Sequence, residues 1–471
     1  MVFLEILLKP VDFIVAPICF GMLCMLMVFI VRKYRDDTQR RLFMKAFYFK
    51  MLFALLFTLM CSFYYRSGDT WMYYDATRYL TKAVLDNPDN LPRILLTQKL
   101  EPDGPLISYF TFTDSRYPVY EAMQDAGNFM GPRFALIPAL LFGNSYLCVS
   151  MCFAFFALGG AIRLYKFFQH YFPAYYREIA LATLFLPSVT LWSSGLMKDP
   201  LCFGAVGYLT YAILNLFVKR KKIFTSILWA AFSIYLLYFT KVYILLAIAP
   251  AILIWLVTEI NKLVKVRTLR QVLAVFTFAI GVFLAYRLLD YVTSEESLRQ
   301  FRLDNIAQSS EYNRSLYESF SRSTEGSYFA IRTESPVLLL LSGIVAALFR
   351  PFLWEINGVT AFLSALEALF FFYLTLNLFV KRGVGPFFKK IFSQPLLLFC
   401  FIFSIVFTAA VGSSALNFGS LSRYKIPALP FYLVMLLVLH QQFRVQFPAW
   451  LKKILGYRVL PVWMQRKAQL T

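Results

Sequence analysis

The sequence has few charged residues for its length. Asp, Glu, Lys and Arg make up 15% of the 471 residues, whereas a soluble globular domain carries roughly a quarter. Hydrophobic residues make up 59%, and the mean hydropathy is +0.61. The apolar residues come in runs of about twenty, the length of a membrane-spanning helix. The composition therefore excludes an ordinary soluble protein and predicts an all-α polytopic membrane protein.

Histidine and cysteine are scarce where they could bind a metal. The only two histidines, His170 and His440, fall in stretches that we place on the cytoplasmic side. All seven cysteines lie within apolar runs, at positions 19, 24, 61, 148, 152, 202 and 400, without a disulfide framework or zinc spacing. These absences exclude a histidine- or cysteine-ligated metal on the outer face. A metal there would be a hard ion such as Mg²⁺ or Mn²⁺ held by carboxylates, and no particular set of metal ligands is predicted.

Basic residues outnumber acidic ones, which gives a formal net charge of +21. The basic residues cluster at the ends of the apolar runs, and this is the positive-inside pattern of membrane proteins. We therefore expect no nucleic-acid partner. The segment after the first run carries six bases between Arg32 and Lys45 and is predicted to be cytoplasmic. This places the N-terminus on the extracytoplasmic side of the cell (inner) membrane and the C-terminus in the cytoplasm.

Run lengths and flanking charges predict about eleven transmembrane helices in a single transmembrane domain, residues 1–471. The predicted spans are Val11–Val31, Phe47–Tyr65, Tyr146–Tyr165, Glu178–Ser193, Leu201–Val218, Ile223–Phe239, Val242–Val257, Gln271–Tyr291, Gly358–Val380, Pro395–Val411 and Pro427–Leu439. Phe134–Gly143 and Pro336–Phe349 are too short to span, so we predict that they are interfacial or re-entrant. Two long extracytoplasmic loops, 66–133 and 292–357, and a basic cytoplasmic tail, 440–471, complete the prediction.

Two acids follow directly on the second predicted span. Asp69 and Asp75 lie in the stretch Gly68–Tyr79, at the start of the first long loop. A carboxylate at this membrane boundary interacts strongly with whatever it meets, because the dielectric is low there. If a helix starts near Asp69, Asp75 and Arg78 share one of its faces. The acids are either caps of an ordinary membrane-exit helix, or groups that take a proton or hold a cation.

Further charged residues lie at the ends of other predicted spans, on the same predicted extracytoplasmic face. They are Lys198, Asp199, Lys241, Arg350, Glu355, Arg423 and Lys425, with Tyr424 between the last two bases. Four of the bases run against the positive-inside bias. Each base alone is explained by snorkelling or by pairing with a loop acid. Together, opposite the acid pair, they favour a site that binds a phosphate or pyrophosphate.

Short motifs resemble a known family. Gly68–Ala76 resembles the acidic motif in the first loop of the GT-C membrane glycosyltransferases. Leu421–Pro430 looks like their RY-x-x-P-x-x-P signature, which opens a late span. Trp192–Asp199 and Arg350–Glu355 resemble stretches of bacterial membrane proteins of surface-polysaccharide synthesis. The resemblance covers these motifs and the order of the spans, not the whole chain.

The resemblance implies a GT-C-like fold and transfer of a sugar from a polyprenyl-phosphate donor on the extracytoplasmic side. Asp69 or Asp75 would then be the general base or bind a metal, and Arg423 and Lys425 would hold the donor phosphate. The two acids are six positions apart, whereas the commonest family pattern has adjacent acids. The acceptor, a glycan, a lipid or a protein, stays open. Membrane lipid is the other expected partner.

Three alternatives remain open from the sequence. A polysaccharide polymerase or ligase would use loop arginines instead of an acid, and the candidates are Arg299, Arg302, Arg314, Arg322 and Arg332. A secondary transporter is disfavoured by the lack of an internal repeat and by the scarcity of charge in the middle of spans. For an assembly subunit of an envelope complex the sequence offers no positive feature.

Overall fold

The computed structural model describes residues 7–65, 68–111, 119–261, 335–356, 358–415 and 417–457. The described residues are helical and contain no strand. The first helices are α1 (Asp12–Val31), α2 (Asp37–Leu59), α3 (Asp69–Asp86), α4 (Asn90–Leu96), α5 (Ser108–Thr111), α6 (Val119–Met123), α7 (Ala126–Leu141), α8 (Tyr146–Tyr171), α9 (Tyr176–Leu184) and α10 (Pro187–Trp192). They are followed by α11 (Lys198–Ile213), α12 (Ile223–Asn261), α13 (Pro336–Phe349), α14 (Val359–Arg382), α15 (Val384–Ser393), α16 (Pro395–Ser414), α17 (Phe418–Tyr424), α18 (Leu429–Gln442) and α19 (Ala449–Ile454).

The protein is a multi-pass membrane protein. Within the described residues, seven helices are long and apolar enough to cross a membrane: α1, α2, α8, α11, α12, α14 and α16. The pair α17–α18, bent by 70°, makes an eighth if it is counted as one span. Single turns of π-helix extend α2 to Tyr65 and α11 to Lys219. The predicted span Gln271–Tyr291, the loop segment 292–334 with its five candidate arginines, and the tail beyond Tyr457 lie outside the described residues.

The 39-residue helix α12 folds back on itself at Lys241, its one residue with non-helical backbone angles. Trp229 lies 4.8 Å from the Arg163 guanidinium, and Trp255 lies 5.2 Å from the ring of Phe167. Arg163 and Phe167 are one turn apart on α8, whereas a straight helix would separate the two tryptophans by about 39 Å. The first half of α12 therefore starts, and its second half ends, at the same end of the bundle. The bend at Lys241 lies between the predicted spans Ile223–Phe239 and Val242–Val257.

Several helices begin or end together at the other end of the bundle. The Tyr146 hydroxyl, at the start of α8, lies 2.6 Å from Thr70 Oγ1 in the first turn of α3. Thr70 Oγ1 also donates to the Leu196 carbonyl at 2.9 Å, just before α11. The Tyr65 hydroxyl, at the end of the second span, donates to Thr360 Oγ1 at 3.0 Å in the first turn of α14. We call this the charged end.

The chain must cross the bundle between α8 and α11, and it does so on a broken helix. α8 starts at the charged end and finishes at the opposite end, whereas α11 starts at the charged end. The connection is made by α9 and α10, which are interrupted at Phe185 and Leu186 before Pro187. Proline at a helix start is compatible with helical geometry, but it ends the helix that precedes it.

Glycines allow two pairs of helices to approach closely. A methyl group added to Gly207 of α11 would lie 2.1 Å from the Gly160 carbonyl oxygen of α8. One added to Gly412 of α16 would lie 1.9 Å from the Gly343 carbonyl oxygen of α13. Small residues at such seams let membrane helices pack backbone against backbone. The first of these seams holds α11, whose first turn carries Lys198 and Asp199, against α8.

The first long loop contains the short helices α3 to α6. The helix α7 crosses the predicted end of this loop at Arg133, since it begins at Ala126, eight residues before the apolar run Phe134–Gly143. Asp125 caps α7 by accepting a hydrogen bond from the Asn128 N–H at 2.8 Å. Pro132 and Pro138 lie within α7.

Candidate functional site

Asp69 and Arg423 form an ion pair between the first loop and a late helix. Asp69 is the first residue of α3, and its Oδ2 accepts a hydrogen bond from Arg423 Nη2 at 2.8 Å. Gly68, directly before it, has a φ of 105°, which only glycine adopts readily, so the chain can turn into α3 at this point. The Asp69 side chain is 43% exposed and that of Arg423 is 19% exposed. The pair therefore faces the medium on one side and the protein on the other.

Asp199 and Lys241 form a second, fully buried pair. Lys241 Nζ donates to Asp199 Oδ1 at 2.5 Å, and their side chains are 8% and 2% exposed. Asp199 lies in the first turn of α11, where the positive end of the helix dipole stabilises a carboxylate. Lys241 lies at the bend of α12, where its φ of −148° and ψ of 75° break the helix. Lys241 also lies 4.4 Å from the centre of the Tyr424 ring.

Arg423 joins the two pairs into one chain of charges. Its Nε lies 3.5 Å from Asp199 Oδ2, so the order is Asp69, Arg423, Asp199, Lys241. We call these four residues the charged cluster. Both atoms of the 3.5 Å contact are buried, and neither has a hydrogen-bond partner within the described part of the chain. A buried polar atom without a partner is costly, and a ligand or water can satisfy it.

Lys198 adds a further positive charge at the edge of the charged cluster. It is the first residue of α11 and is half-buried. Asp69, Asp125 and Lys241 are its charged neighbours, and it forms no ion pair within 4 Å among the residues that the structure describes. Lys198 therefore places a third base, without an ion-pair partner within 4 Å in the described ranges, beside the half-exposed carboxylate Asp69.

The charged cluster determines the ionisation of Asp69. Burial alone raises the pKa of this carboxyl. The charge and hydrogen bond of Arg423, with the charges of Lys198 and Lys241, outweigh burial and bring the pKa below its ordinary value. Asp69 is therefore a carboxylate at neutral pH and can accept a proton. It becomes a stronger base when Arg423 is drawn away.

Asp75 and Arg78 lie further along α3 and form a local pair. Arg78 Nη1 is 3.6 Å from Asp75 Oδ1, and the two residues share a face of the helix as predicted. The Arg78 guanidinium also lies 5.9 Å from the Tyr74 ring. Of the two acids in the first-loop motif, Asp69 is the one whose ion pair reaches Arg423. The structure thus separates the two acids that the sequence treats together.

Arg350 and Glu355 form a compact turn beside α17. Arg350 Nε lies 3.1 Å from both carboxylate oxygens of Glu355, and the Phe352 N–H donates to Glu355 Oε2 at 2.8 Å. Burial raises the pKa of Glu355, but the hydrogen bonds from Arg350 and Phe352 outweigh it and lower the pKa. The Arg350 guanidinium lies 5.3 Å from the ring of Phe418, the first residue of α17. This pair supports the helix that carries Arg423.

Lys425 is only 1% exposed, and its ammonium group has no hydrogen-bond partner among the described residues. Its charged neighbour is Glu367 of α14, which accepts a hydrogen bond from Ser188 Oγ at 2.7 Å. Sequence reasoning groups Lys425 with Arg423. The structure instead shows a second polar group, Lys425 with Glu367 and Ser188, and the sequence analysis missed Glu367.

Lys50 is another buried charge that the sequence analysis missed. It lies inside α2 and donates to the Thr190 carbonyl at 3.1 Å and to Ser193 Oγ at 2.5 Å. The signal was present in the sequence, since Lys50 and Glu367 are single charges within apolar runs. Charged residues inside the predicted spans are therefore less scarce than the sequence analysis assumes.

No group of three or more His, Cys, Asp or Glu side chains in the described ranges has the arrangement of a metal site. In the charged cluster, the carboxylates of Asp69 and Asp199 both face basic side chains. The hypothesis of a hard metal ion held by carboxylates gains no support from these contacts.

Comparisons with protein-family models, with curated proteins and with solved structures gave no match to this chain. The resemblance to the GT-C glycosyltransferases therefore rests on the short motifs alone.

Proposed function

We propose that the protein is a membrane glycosyltransferase that takes a sugar from a polyprenyl-phosphate-linked donor. The proposal includes a GT-C-like arrangement of about eleven spans in the cell membrane, with the charged end on the extracytoplasmic side. The acceptor would be a glycan, a lipid or a protein. The motifs suggest this reaction, and the geometry of the charged cluster supports it.

The observation that carries the proposal is the position of Arg423 between two carboxylates. Its hydrogen bond to Asp69 is exposed on one side, and its Nε has no hydrogen-bond partner among the described residues. A donor phosphate can therefore bind Arg423 together with Lys198, which forms no ion pair within 4 Å among the described residues. Because Arg423 then leaves Asp69, donor binding raises the pKa of the carboxylate that must accept a proton.

Glycosyl transfer needs a base for the acceptor hydroxyl and cations for the phosphate leaving group. The charged cluster, together with Lys198, has both. The acceptor oxygen forms a bond to the anomeric carbon, while the bond from that carbon to the phosphate oxygen breaks. Asp69 takes the proton of the acceptor hydroxyl. The polyprenyl phosphate leaves as an anion, and Arg423 with Lys198 stabilises its developing charge. Asp199, which is itself paired with Lys241, holds Arg423 in place.

The test is release of polyprenyl phosphate from a panel of polyprenyl-phosphate sugars by the purified protein in lipid. The wild type, Asp69→Asn and Asp75→Asn are compared, and the Asp75 variant is the matched control because it changes an acid of the same helix. We expect release by the wild type and the control, and a loss of about 100-fold or more for Asp69→Asn. No turnover of any donor by the wild type would contradict the proposal. Equal activity of the two variants would remove Asp69 from the mechanism.

One observation favours a second function, that of a secondary transporter. The break before α11, the bend at Lys241 and the bend between α17 and α18 all bring interrupted helices to the charged cluster. Discontinuous helices around a buried polar site are typical of transporters. Uptake of a sugar phosphate into vesicles without a covalent product would favour this alternative. Release of polyprenyl phosphate would exclude it as the main activity.

A further inference from the structure

The end of the bundle opposite the charged end has a different set of charges. Arg163 and Lys166 lie on α8, and Lys219 and Lys222 lie at and just after the end of the π-turn that follows α11. Lys166 Nζ and Lys219 Nζ lie 5.7 Å and 5.4 Å from the centre of the same Tyr211 ring. Arg163, Lys219 and Lys222 each repel the Lys166 ammonium group. We call these four residues the basic group.

The basic group has no carboxylate partner in the part of the chain that the structure describes. The acids nearby face other residues. Asp37 forms an ion pair with Arg40, Asp36 is a charged neighbour of Tyr165, and Glu259 is a charged neighbour of His170 and Tyr171. Within the described residues, no ion pair within 4 Å therefore neutralises the basic group.

Aromatic rings lie against three of these bases, Arg163, Lys166 and Lys219. The Arg163 guanidinium lies 4.2 Å from the ring of Tyr208, which is stacked on Trp229 at 4.2 Å with an interplanar angle of 6°. Lys166 Nζ lies 4.2 Å from the ring of Tyr34. A methyl group at Gly159 would lie 2.1 Å from the Tyr208 hydroxyl, so a glycine is needed for this arrangement. Rings fix the bases without neutralising them.

The backbone beside the basic group is also unusual. The π-turn 214–219 ends α11, and Arg220 and Lys222 have φ values of 50° and 53°. Residues other than glycine and asparagine rarely adopt this left-handed conformation, which costs about 1 kcal/mol or more. Two long basic side chains are nevertheless placed there. Strain of this kind is often found at functional sites.

We propose that the basic group binds the phosphate of an acidic membrane lipid. Lys166, Lys219 and Arg163 are half-buried between helices, and Lys222 is exposed. The site therefore runs from the surface into the bundle, as expected for a headgroup whose acyl chains remain in the bilayer. Basic pockets between membrane helices bind acidic headgroups in this way. The proposal is independent of the reaction at the charged end.

The test uses the full-length protein in nanodiscs of phosphatidylcholine with phosphatidylglycerol as the acidic probe. Native mass spectrometry after extraction counts the lipids that remain bound. We expect the wild type to retain phosphatidylglycerol over phosphatidylcholine, and the double variant Lys166→Gln/Lys219→Gln to lose roughly tenfold in that preference. The variant Lys166→Arg/Lys219→Arg keeps the charge and should keep the preference. This pair of variants separates lost binding from misfolding.

The control Lys381→Gln/Lys389→Gln removes two exposed bases from α14 and α15 and should retain the lipid as the wild type does. Three results would overturn the proposal. They are no lipid preference in the wild type, equal losses in the control and the Gln double variant, and displacement of the lipid by millimolar inorganic phosphate. The last result would assign the site to a soluble anion.

Discussion

The two ends of the bundle differ in the kind of side chain that lies against their basic residues. At the charged end, Arg423 and Lys241 face the carboxylates Asp69 and Asp199 across three interhelical contacts. At the opposite end, Arg163 and Lys166 face aromatic rings. A cation paired with a carboxylate can exchange that partner for a phosphate, whereas a cation against a ring is free to take an anion directly. The first arrangement suits a site that turns over its ligand, and the second suits one that keeps it.

The largest expected effect comes from removing the central acid of the charged cluster. Asp199→Asn leaves Lys241 uncompensated and 8% exposed. Removing one partner of a buried pair costs about 3–5 kcal/mol. The free energy of unfolding in detergent micelles should fall by that amount. The double variant Asp199→Asn/Lys241→Met should recover a large part, because it removes the isolated charge as well. A double variant less stable than the single one would show that this end does not depend on charge pairing.

Both ends of the bundle should rest on one rigid scaffold, and a substitution at Gly207 tests this expectation. Gly207→Ala forces a methyl group against the Gly160 backbone in the seam between α8 and α11. Overpacking of this kind costs about 1–3 kcal/mol. Gly21→Ala is the matched control, since nothing lies within 4 Å of the added methyl group in α1. The control should be neutral or gain about 0.5–1 kcal/mol in unfolding free energy. Equal stability of the two variants would contradict the packing described here.

The pH dependence of activity sharpens the contrast at the charged end. In the wild type the pKa of Asp69 is lowered, so the base stays ionised and kcat/KM should not decline until the pH is below the ordinary range of an aspartate. In Arg423→Gln, burial acts with less opposition and raises the pKa of Asp69. The acidic limb of kcat/KM should therefore move to higher pH. Arg78→Gln, which removes the base that pairs with Asp75 on the same helix, is the control. An unchanged limb in Arg423→Gln would separate Asp69 from proton transfer.

The smallest effect is expected at the opposite end. Lys166→Gln removes a cation–π contact with Tyr34 that is worth about 0.5–1 kcal/mol at a partly exposed site. It also relieves repulsion among the four bases, so the unfolding free energy should change by less than about 1 kcal/mol. A loss as large as that of Asp199→Asn would show that the basic group has a hidden carboxylate partner. The comparison between the ends would then fail.

The sequence predicted the multi-pass helical architecture, because apolar runs and flanking charges report directly on the membrane. It also indicated which span mouths carry charge, and the structure brings Asp69, Asp199, Lys241 and Arg423 together. It did not predict that Asp69 and Asp75 have different partners, since both follow the same span. Nor did it indicate that Glu367 is the charged neighbour of Lys425, because the approach of two distant helices depends on tertiary packing.

The opposite end could not have been predicted from the sequence. Basic residues at the ends of spans are normally explained by the positive-inside bias, so Lys166 and Lys219 carry no separate signal. Only the rings of Tyr34 and Tyr211, which lie against these two lysines, distinguish them from ordinary flanking bases. The count of about eleven spans and the orientation of the two termini stay predictions.

The affinity of the protein for polyprenyl phosphate, the proposed product, tests directly whether Arg423 exchanges its carboxylate partner for a phosphate. If Arg423 exchanges Asp69 for a phosphate, the two residues must have opposite effects on binding. Asp69→Asn removes the competitor of the phosphate and should bind it about tenfold more tightly, whereas Arg423→Gln should bind it at least about tenfold more weakly. Asp75→Asn should bind as the wild type does. Weaker binding by Asp69→Asn, or unchanged binding by Arg423→Gln, would contradict the account.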